Sequence, residues 1–197
     1  MKNLTFCLTI GFSSFVGAPL HALTVSELEK NCLDGDLVSC ENAGVAYEYG
    51  TDGLADYVKA AEFYNIGCIG GHGKACRRLS NLYVDGSGVP QSFDESWRLV
   101  HLACEKDDFF SCNVLGTTYE RGFPLTPDSY GPPDPLRASE FYSVACEGNY
   151  EVSCSNLAAL YAFGSGVTRN TDKAKSLYRK ACDLGWKRGC EGLARLN

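Results

Sequence analysis

The sequence predicts an all-α fold, a disulfide-stapled solenoid of αα-hairpins with about ten helices. Three observations predict it: a fixed spacing inside five cysteine pairs, a near-constant period between the pairs, and helix start and stop residues at matching places in each period. Of the 11 cysteines in the 197 residues, ten fall at 32/40, 68/76, 104/112, 146/154 and 182/190. Each pair encloses seven residues, and successive pairs lie 36, 36, 42 and 36 residues apart. With 45% hydrophobic and 21% charged residues, the chain has the composition of a folded domain.

The opening MKNLTFCLTIGFSSFVGAPLHA reads as a signal peptide over residues 1–22. Lys2 supplies a short positive region, an uncharged apolar run follows, and Ala22 closes a small-residue cleavage site. Leu20 stands where a smaller residue is usual, and Cys7 falls within the discarded run. A single repeat domain over 23–197 is then expected, periplasmic or secreted after cleavage near Ala22. An even number of cysteines in an exported chain reads as a disulfide framework. Without Lys2, 17 basic residues face 24 acidic ones, a net charge of −7. That balance leaves no basic stripe for nucleic acid, and no later apolar run is long enough to span a membrane.

Geometry dictates what each pair bridges. Residues eight apart on one helix are separated by about 12 Å along its axis. A disulfide needs Cα atoms within about 7 Å, so the chain reverses between its cysteines. An αα-hairpin does this, with one cysteine near the end of the first helix and the other opening the second.

The hairpins are expected at about 24–50, 56–86, 92–122, 134–164 and 170–197. Three positions after each first cysteine come Gly35, Gly71, Asp107, Asn149 and Gly185, types that tolerate the left-handed conformation ending a helix. In the first unit, Ser26 with Glu29 forms a capping box. In the other four, Asp56, Ser92, Asp134 and Asn170 stand twelve positions before the first cysteine as N-caps, with Pro135 at N1. Small Ala60, Ser96, Ala138 and Ala174 precede bulky Phe63/Tyr64, Leu99/Val100, Phe141/Tyr142 and Leu177/Tyr178 on a buried face. In the second helices, Ala43, Leu79, Leu115, Leu157 and Leu193 precede small Gly44, Ser80, Gly116, Ala158 and Ala194. Tyr47, Tyr83, Tyr119 and Tyr161 follow, and Gly50, Gly86, Gly122 and Gly164 end those helices. These are packing positions.

The stretch CIGGHGKAC places His72 symmetrically between Cys68 and Cys76, a spacing that invites a zinc reading. Four other hairpins carry the same pair without a histidine, so stapling explains the cysteines and His72 is expected to be an exposed loop residue. Each staple contributes about 2–3 kcal/mol on the chain-entropy account. No metal and no cofactor are expected.

Units such as CSNLAALYAFGSGVTRNTDKAKSLYRKAC resemble Sel1-like repeats, relatives of tetratricopeptide repeats, and the added cysteine pairs resemble the Helicobacter cysteine-rich protein family. The resemblance runs from about residue 24 to the C-terminus. It departs at the 42-residue interval, at Ser92 and Asn170 where Asp is usual, and in the abbreviated last helix. It implies a Sel1-like/TPR-like superhelix whose concave face binds a peptide or protein. It also implies two alternatives: a penicillin-binding protein with slow β-lactam hydrolysis, taking a β-lactam or peptidoglycan-related ligand, and a secreted factor engaging host cells.

The residues do not furnish a catalyst. Beyond residue 22 there is no Ser-x-x-Lys, Lys-Thr-Gly, Ser-Asp-Asn, Gly-x-Ser-x-Gly or His-Glu-x-x-His. His101, in SWRLVHLAC, reads as a surface or boundary residue rather than a base. Wide, repeated cysteine pairs also differ from the Cys-x-x-Cys of exchange enzymes. Binding by a monomer is therefore the leading reading. By similarity to tetratricopeptide repeats, the second helices face the groove, which nominates Glu41, Val45, Tyr49, Arg77, Asn81, Asn113, Thr117, Glu120, Arg121 and Phe163. Asn and Arg suit a peptide's backbone and carboxylates, and exposed Tyr and Phe suit anchoring. Arg77 with Asn81 faintly resembles a peptide carboxylate clamp. The insert GFPLTPDSYGPPDPL, at 122–136, holds five of the seven prolines and is expected to be a stiff loop, with Phe123 and Tyr130 available to a partner.

Overall fold

The computed structural model describes residues 23–122, 124–126 and 129–196. The signal-peptide reading at 1–22, with Lys2, Cys7 and Ala22, lies outside the described residues, as do Phe123 and the Tyr130 side chain. Among the described residues, ten helices follow one another: α1 (Val25–Leu33), α2 (Leu37–Tyr49), α3 (Tyr57–Ile69), α4 (Gly73–Asp85), α5 (Phe93–Glu105), α6 (Phe109–Arg121), α7 (Pro135–Glu147), α8 (Glu151–Phe163), α9 (Thr171–Asp183) and α10 (Lys187–Leu196). Each packs on the next to build an all-α solenoid. No described helix is long and apolar enough to cross a membrane.

The turns between α1 and α2, and at each later odd-to-even junction, are closed by disulfides Cys32–Cys40, Cys68–Cys76, Cys104–Cys112, Cys146–Cys154 and Cys182–Cys190. Their Cα atoms stand 4.5, 4.5, 4.7, 4.6 and 4.6 Å apart in that order. The reversal needs one left-handed residue per turn. At two of the five turns that residue is not glycine: Asp107 at φ 61° and Asn149 at φ 64°. Both types tolerate this conformation.

The caps explain where the odd helices begin. Asp56, Ser92, Asp134 and Asn170 accept the backbone N–H of Lys59, Glu95, Arg137 and Lys173 at 3.0, 3.2, 3.0 and 2.9 Å. In α1 the cap is Thr24, with Glu27 completing the capping box, rather than Ser26 with Glu29. Both pairs satisfy the Ser/Thr-x-x-Glu pattern. Starting at Val25 puts Val25, Leu28 and Cys32 on one face, and all three are buried.

Close approach between α2 and α3, and between α6 and α7, rests on missing side chains. The buried Tyr64 ring lies against the backbone of Gly44, and the buried Tyr142 ring against Gly116. Two of the second-helix tyrosines stack on the next odd helix: Tyr47 on Phe63 with centroids 5.7 Å apart, and Tyr119 on Phe141 at 5.4 Å.

The insert is partly ordered into a two-stranded antiparallel pair, β1 (Pro124–Thr126) with β2 (Ser129–Tyr130), where a loop was expected. It leaves the repeat intact for a visible reason. In each of the last four units the N-cap N–H donates to the carbonyl of the preceding second-helix tyrosine: Asp56 to Tyr47, Ser92 to Tyr83, Asp134 to Tyr119 and Asn170 to Tyr161, at 2.9, 2.9, 2.7 and 2.8 Å. The insert is looped out between the two ends of one such bond.

At α10 the packing thins. Ala194, expected in the buried face, is exposed and Leu193 only half-buried. Cys190 is exposed as well, whereas the eight cysteines of the first four pairs are all buried.

Candidate functional site

The even helices carry a ladder of polar ties from each unit to the next. Glu41 on α2 meets His72, the N-cap of α4, at 2.8 Å, and lies 3.7 Å from Nε of Arg78. Arg77 on α4 pairs with buried Asp108, the N-cap residue of α6, at 2.8 Å, and its guanidinium lies 5.1 Å from the centre of the Phe110 ring. Asn113 on α6 accepts from Ser153 at 2.9 Å and from Asn156 at 3.3 Å, both on α8. In these three units the residue after the second cysteine thus reaches the N-terminal half of the next even helix or its cap. His72 is accordingly a half-buried, bonded cap and not an exposed loop residue.

This ladder divides the ten residues nominated for binding. Glu41, Arg77 and Asn113 are engaged between units. Thr117 and Glu120 both receive the Tyr142 hydroxyl, at 3.2 and 2.7 Å. Val45 packs against the core around Tyr64 and Leu79. Tyr49 is exposed while bonded to Arg78, and Asn81, Arg121 and Phe163 are exposed. Phe163 is 82% exposed, so its ring gains nothing from the fold itself.

Spacing alone did not single out the tyrosines four positions before the first cysteines. Tyr64 donates its hydroxyl to Glu48 on α2, and Tyr142 donates to Glu120 on α6. Burial pushes both phenols well above their usual range, and the carboxylates reinforce the effect. The signal was present in the sequence as a Glu eight positions after one second cysteine paired with a Tyr four before the next first cysteine. It emerges only when the units are aligned in the right frame.

At the C-terminal end, two adjoining cavities of about 340 and 260 Å³ lie between α8, α9 and α10. They share Tyr178, Gly192 and Arg195. The first adds Phe163 and Leu196, and the second adds Ser155, Asn156, Arg188 and Glu191, whose carboxylate lies 3.9 Å from the Lys187 ammonium.

His101 is a half-buried boundary residue, edge-on to Trp97 and Phe141 at 4.9 and 5.5 Å. Burial holds its pKa below the ordinary 6.5, with Glu105 opposing and Arg137 adding to the shift. Below about pH 6.5 the unfolded chain gains a proton here that the folded chain refuses, so stability falls with pH until the folded pKa is reached. His101→Phe is expected to lose less stability than the parent between pH 7 and 5 in urea titrations. Identical pH slopes would refute this.

Among the described residues no group of three or more His, Cys, Asp or Glu is placed to hold a metal ion. No described serine hydroxyl bonds a histidine or lysine, the pairing an acylating hydrolase uses. The β-lactam alternative gains no support from this geometry.

Comparison with known proteins agrees with the architecture. Cytochrome c oxidase assembly factor 7 of Xenopus tropicalis is 30% identical over 179 residues, covering 79% of this chain and 76% of that protein. A protective antigen present in uropathogenic Escherichia coli, displaying an SLR fold, superposes with a TM-score of 0.74 at 22% identity. That match covers 87% of this chain, which spans 36% of the antigen's chain. Helicobacter pylori cysteine rich protein B is 26% identical, over 77% of this chain and 95% of its own, with a TM-score of 0.47. The family model described as Sel1 repeat matches residues 37–72, 73–108, 110–150 and 152–186. Each matched unit opens at or beside the start of an even helix and runs through the following odd one, so Cys68–Cys76, Cys104–Cys112 and Cys146–Cys154 each cross from one matched unit to the next. Matched over most of its length by consecutive units in register with its own helices, the chain belongs to the Sel1 repeat family.

Proposed function

We propose that this Sel1-repeat scaffold holds a peptide or protein partner along the face made by its even helices. The carrying observation is the set of groups left over once the inter-unit ties are counted. Asn81, Arg121 and Phe163 stand exposed on α4, α6 and α8, while Tyr49 on α2 keeps its ring exposed with its hydroxyl bonded to Arg78. Amide and guanidinium groups serve an extended backbone and its carboxylates, while exposed rings serve as anchors. A disulfide at each odd-to-even junction makes the face rigid, which lowers the ordering cost of binding. The disulfides also favour an oxidising compartment, in keeping with an exported, periplasmic or secreted protein. The relative's name, an assembly factor, fits a protein that holds another rather than transforms it.

A photo-cross-linking residue tests the face. Placed at Asn81 or Arg121, it is expected to give one adduct of the same mass from extract of the native compartment, and none from Ile69, exposed on α3. Equal labelling at Ile69, or no adduct at either groove position, would overturn the reading.

A further inference from the structure

The aligned units contain one mismatch. Where the odd helix carries Tyr64 or Tyr142, the preceding even helix supplies Glu48 or Glu120 to receive the hydroxyl. Where the odd helix carries Val100 instead, the preceding even helix carries Val84 in place of the glutamate. The two positions change together in these three units. In the last one they do not: Tyr178 is present, but the position of the glutamate is taken by Ala162. Among the described residues the Tyr178 hydroxyl has no hydrogen-bond partner, and Arg188 and Arg195 form no ion pair. All three side chains line the adjoining cavities between α8, α9 and α10, and Ala162 lines the larger one.

We propose that this cleft takes a carboxylate of an acidic peptide segment, seated where Glu48 and Glu120 sit in the earlier units. Tyr178 donates its hydroxyl to that carboxylate, and Arg195 pairs with it. Arg188 takes a second acidic group in the polar half of the cleft. An apolar side chain of the same segment lies against Phe163, Tyr178 and Leu196. Gly192 keeps the two halves continuous: the Tyr178 ring rests on its backbone, where the earlier even helices carry Asn42, Arg78, Val114 and Asn156.

Charge complementarity supports an acidic occupant. Residues 169–196 hold eight basic side chains against three acidic ones, in a chain that is acidic as a whole. The inference rests on the partner-binding reading and narrows it to one end of the face and one chemistry.

The test uses the full chain with its disulfides intact. Two fluorescein-labelled, amidated peptides of Gly and Ser carry one Phe flanked by two Glu, or by two Gln. Anisotropy is expected to show the Glu peptide binding about tenfold or more tightly than the Gln peptide. Ala162→Glu, which supplies the missing carboxylate internally, is expected to abolish that preference while leaving the melting temperature unchanged or raised. Tyr178→Phe, which keeps the ring, is expected to reduce it several-fold. No preference in the parent protein, or a preference that survives Ala162→Glu, would overturn the proposal. So would a dimer of the protein alone that Ala162→Glu converts to monomer, because the occupant would then be a second copy. Ala162→Glu in the Asn81 cross-linking experiment separates the two ideas: an adduct that persists while the peptide preference is absent sinks the cleft and leaves the wider face standing.

Discussion

Replacing Cys104 and Cys112 together by alanine is expected to lower the unfolding free energy by about 3 kcal/mol and to split the single unfolding transition into two. The closed loop is short, and chain entropy alone assigns such a staple about 2–3 kcal/mol. Its position adds to this. α5 and α6 share less contact than any other two successive helices, so this joint depends most on its covalent link. The bond is also buried, with Cys112 fully enclosed and Cys104 nearly so. In a repeat array, cooperativity is carried by nearest-neighbour interfaces, and this staple crosses a boundary between two matched Sel1 units. Amide hydrogen exchange on the double variant should show α1–α5 and α6–α10 opening as separate blocks. The Cys182→Ala/Cys190→Ala variant should fray α10 alone, since that pair lies at the thinly packed end. A single cooperative transition with an unchanged midpoint in the Cys104/Cys112 variant would refute the account.

What was legible in the sequence was whatever repeats in it. Cysteine spacing forced a chain reversal by distance alone, and five aligned copies separated stapling from the coincidental His72. The caps at Asp56, Ser92, Asp134 and Asn170 were equally plain, because a helix start is a local matter. Thr24 was missed because Thr24-x-x-Glu27 and Ser26-x-x-Glu29 fit the same pattern, and only burial of Val25 and Leu28 decides between them. The ties Glu41–His72 and Arg77–Asp108 were not legible. Each joins residues 31 apart through the pitch of the superhelix, which no local rule encodes. Their consequence is functional: residues that look available on a helical wheel are already engaged by the next unit. The pairing of Tyr64 with Glu48 lay between those extremes, since it was written in the sequence but spread over two hairpins of the cysteine frame.

Tyr142→Ala is expected to cost about 3–5 kcal/mol, the range for removing a large buried aromatic side chain. Tyr142 is completely buried, and its ring lies against α6 where Gly116 carries no side chain. Tyr142→Phe keeps that packing and removes only the hydroxyl's bonds to Glu120 and Thr117, so it should cost about 1–3 kcal/mol. The partner position makes the account sharper. In the parent protein a methyl group at Gly116 would stand 2.5 Å from two ring carbons of Tyr142, so Gly116→Ala should destabilise by about 1–3 kcal/mol through overpacking. In the Tyr142→Ala background the ring is gone, and the same methyl group enters the space it left. Alanine is also the better helix former by about 1 kcal/mol. Gly116→Ala should therefore change sign there and stabilise the protein. A double-mutant cycle by urea unfolding measures this directly. Additive costs would mean that the ring and the bare backbone do not determine each other. A reversal of sign would show that glycine stands at 116 because tyrosine stands at 142, and the same logic then governs Gly44 and Tyr64.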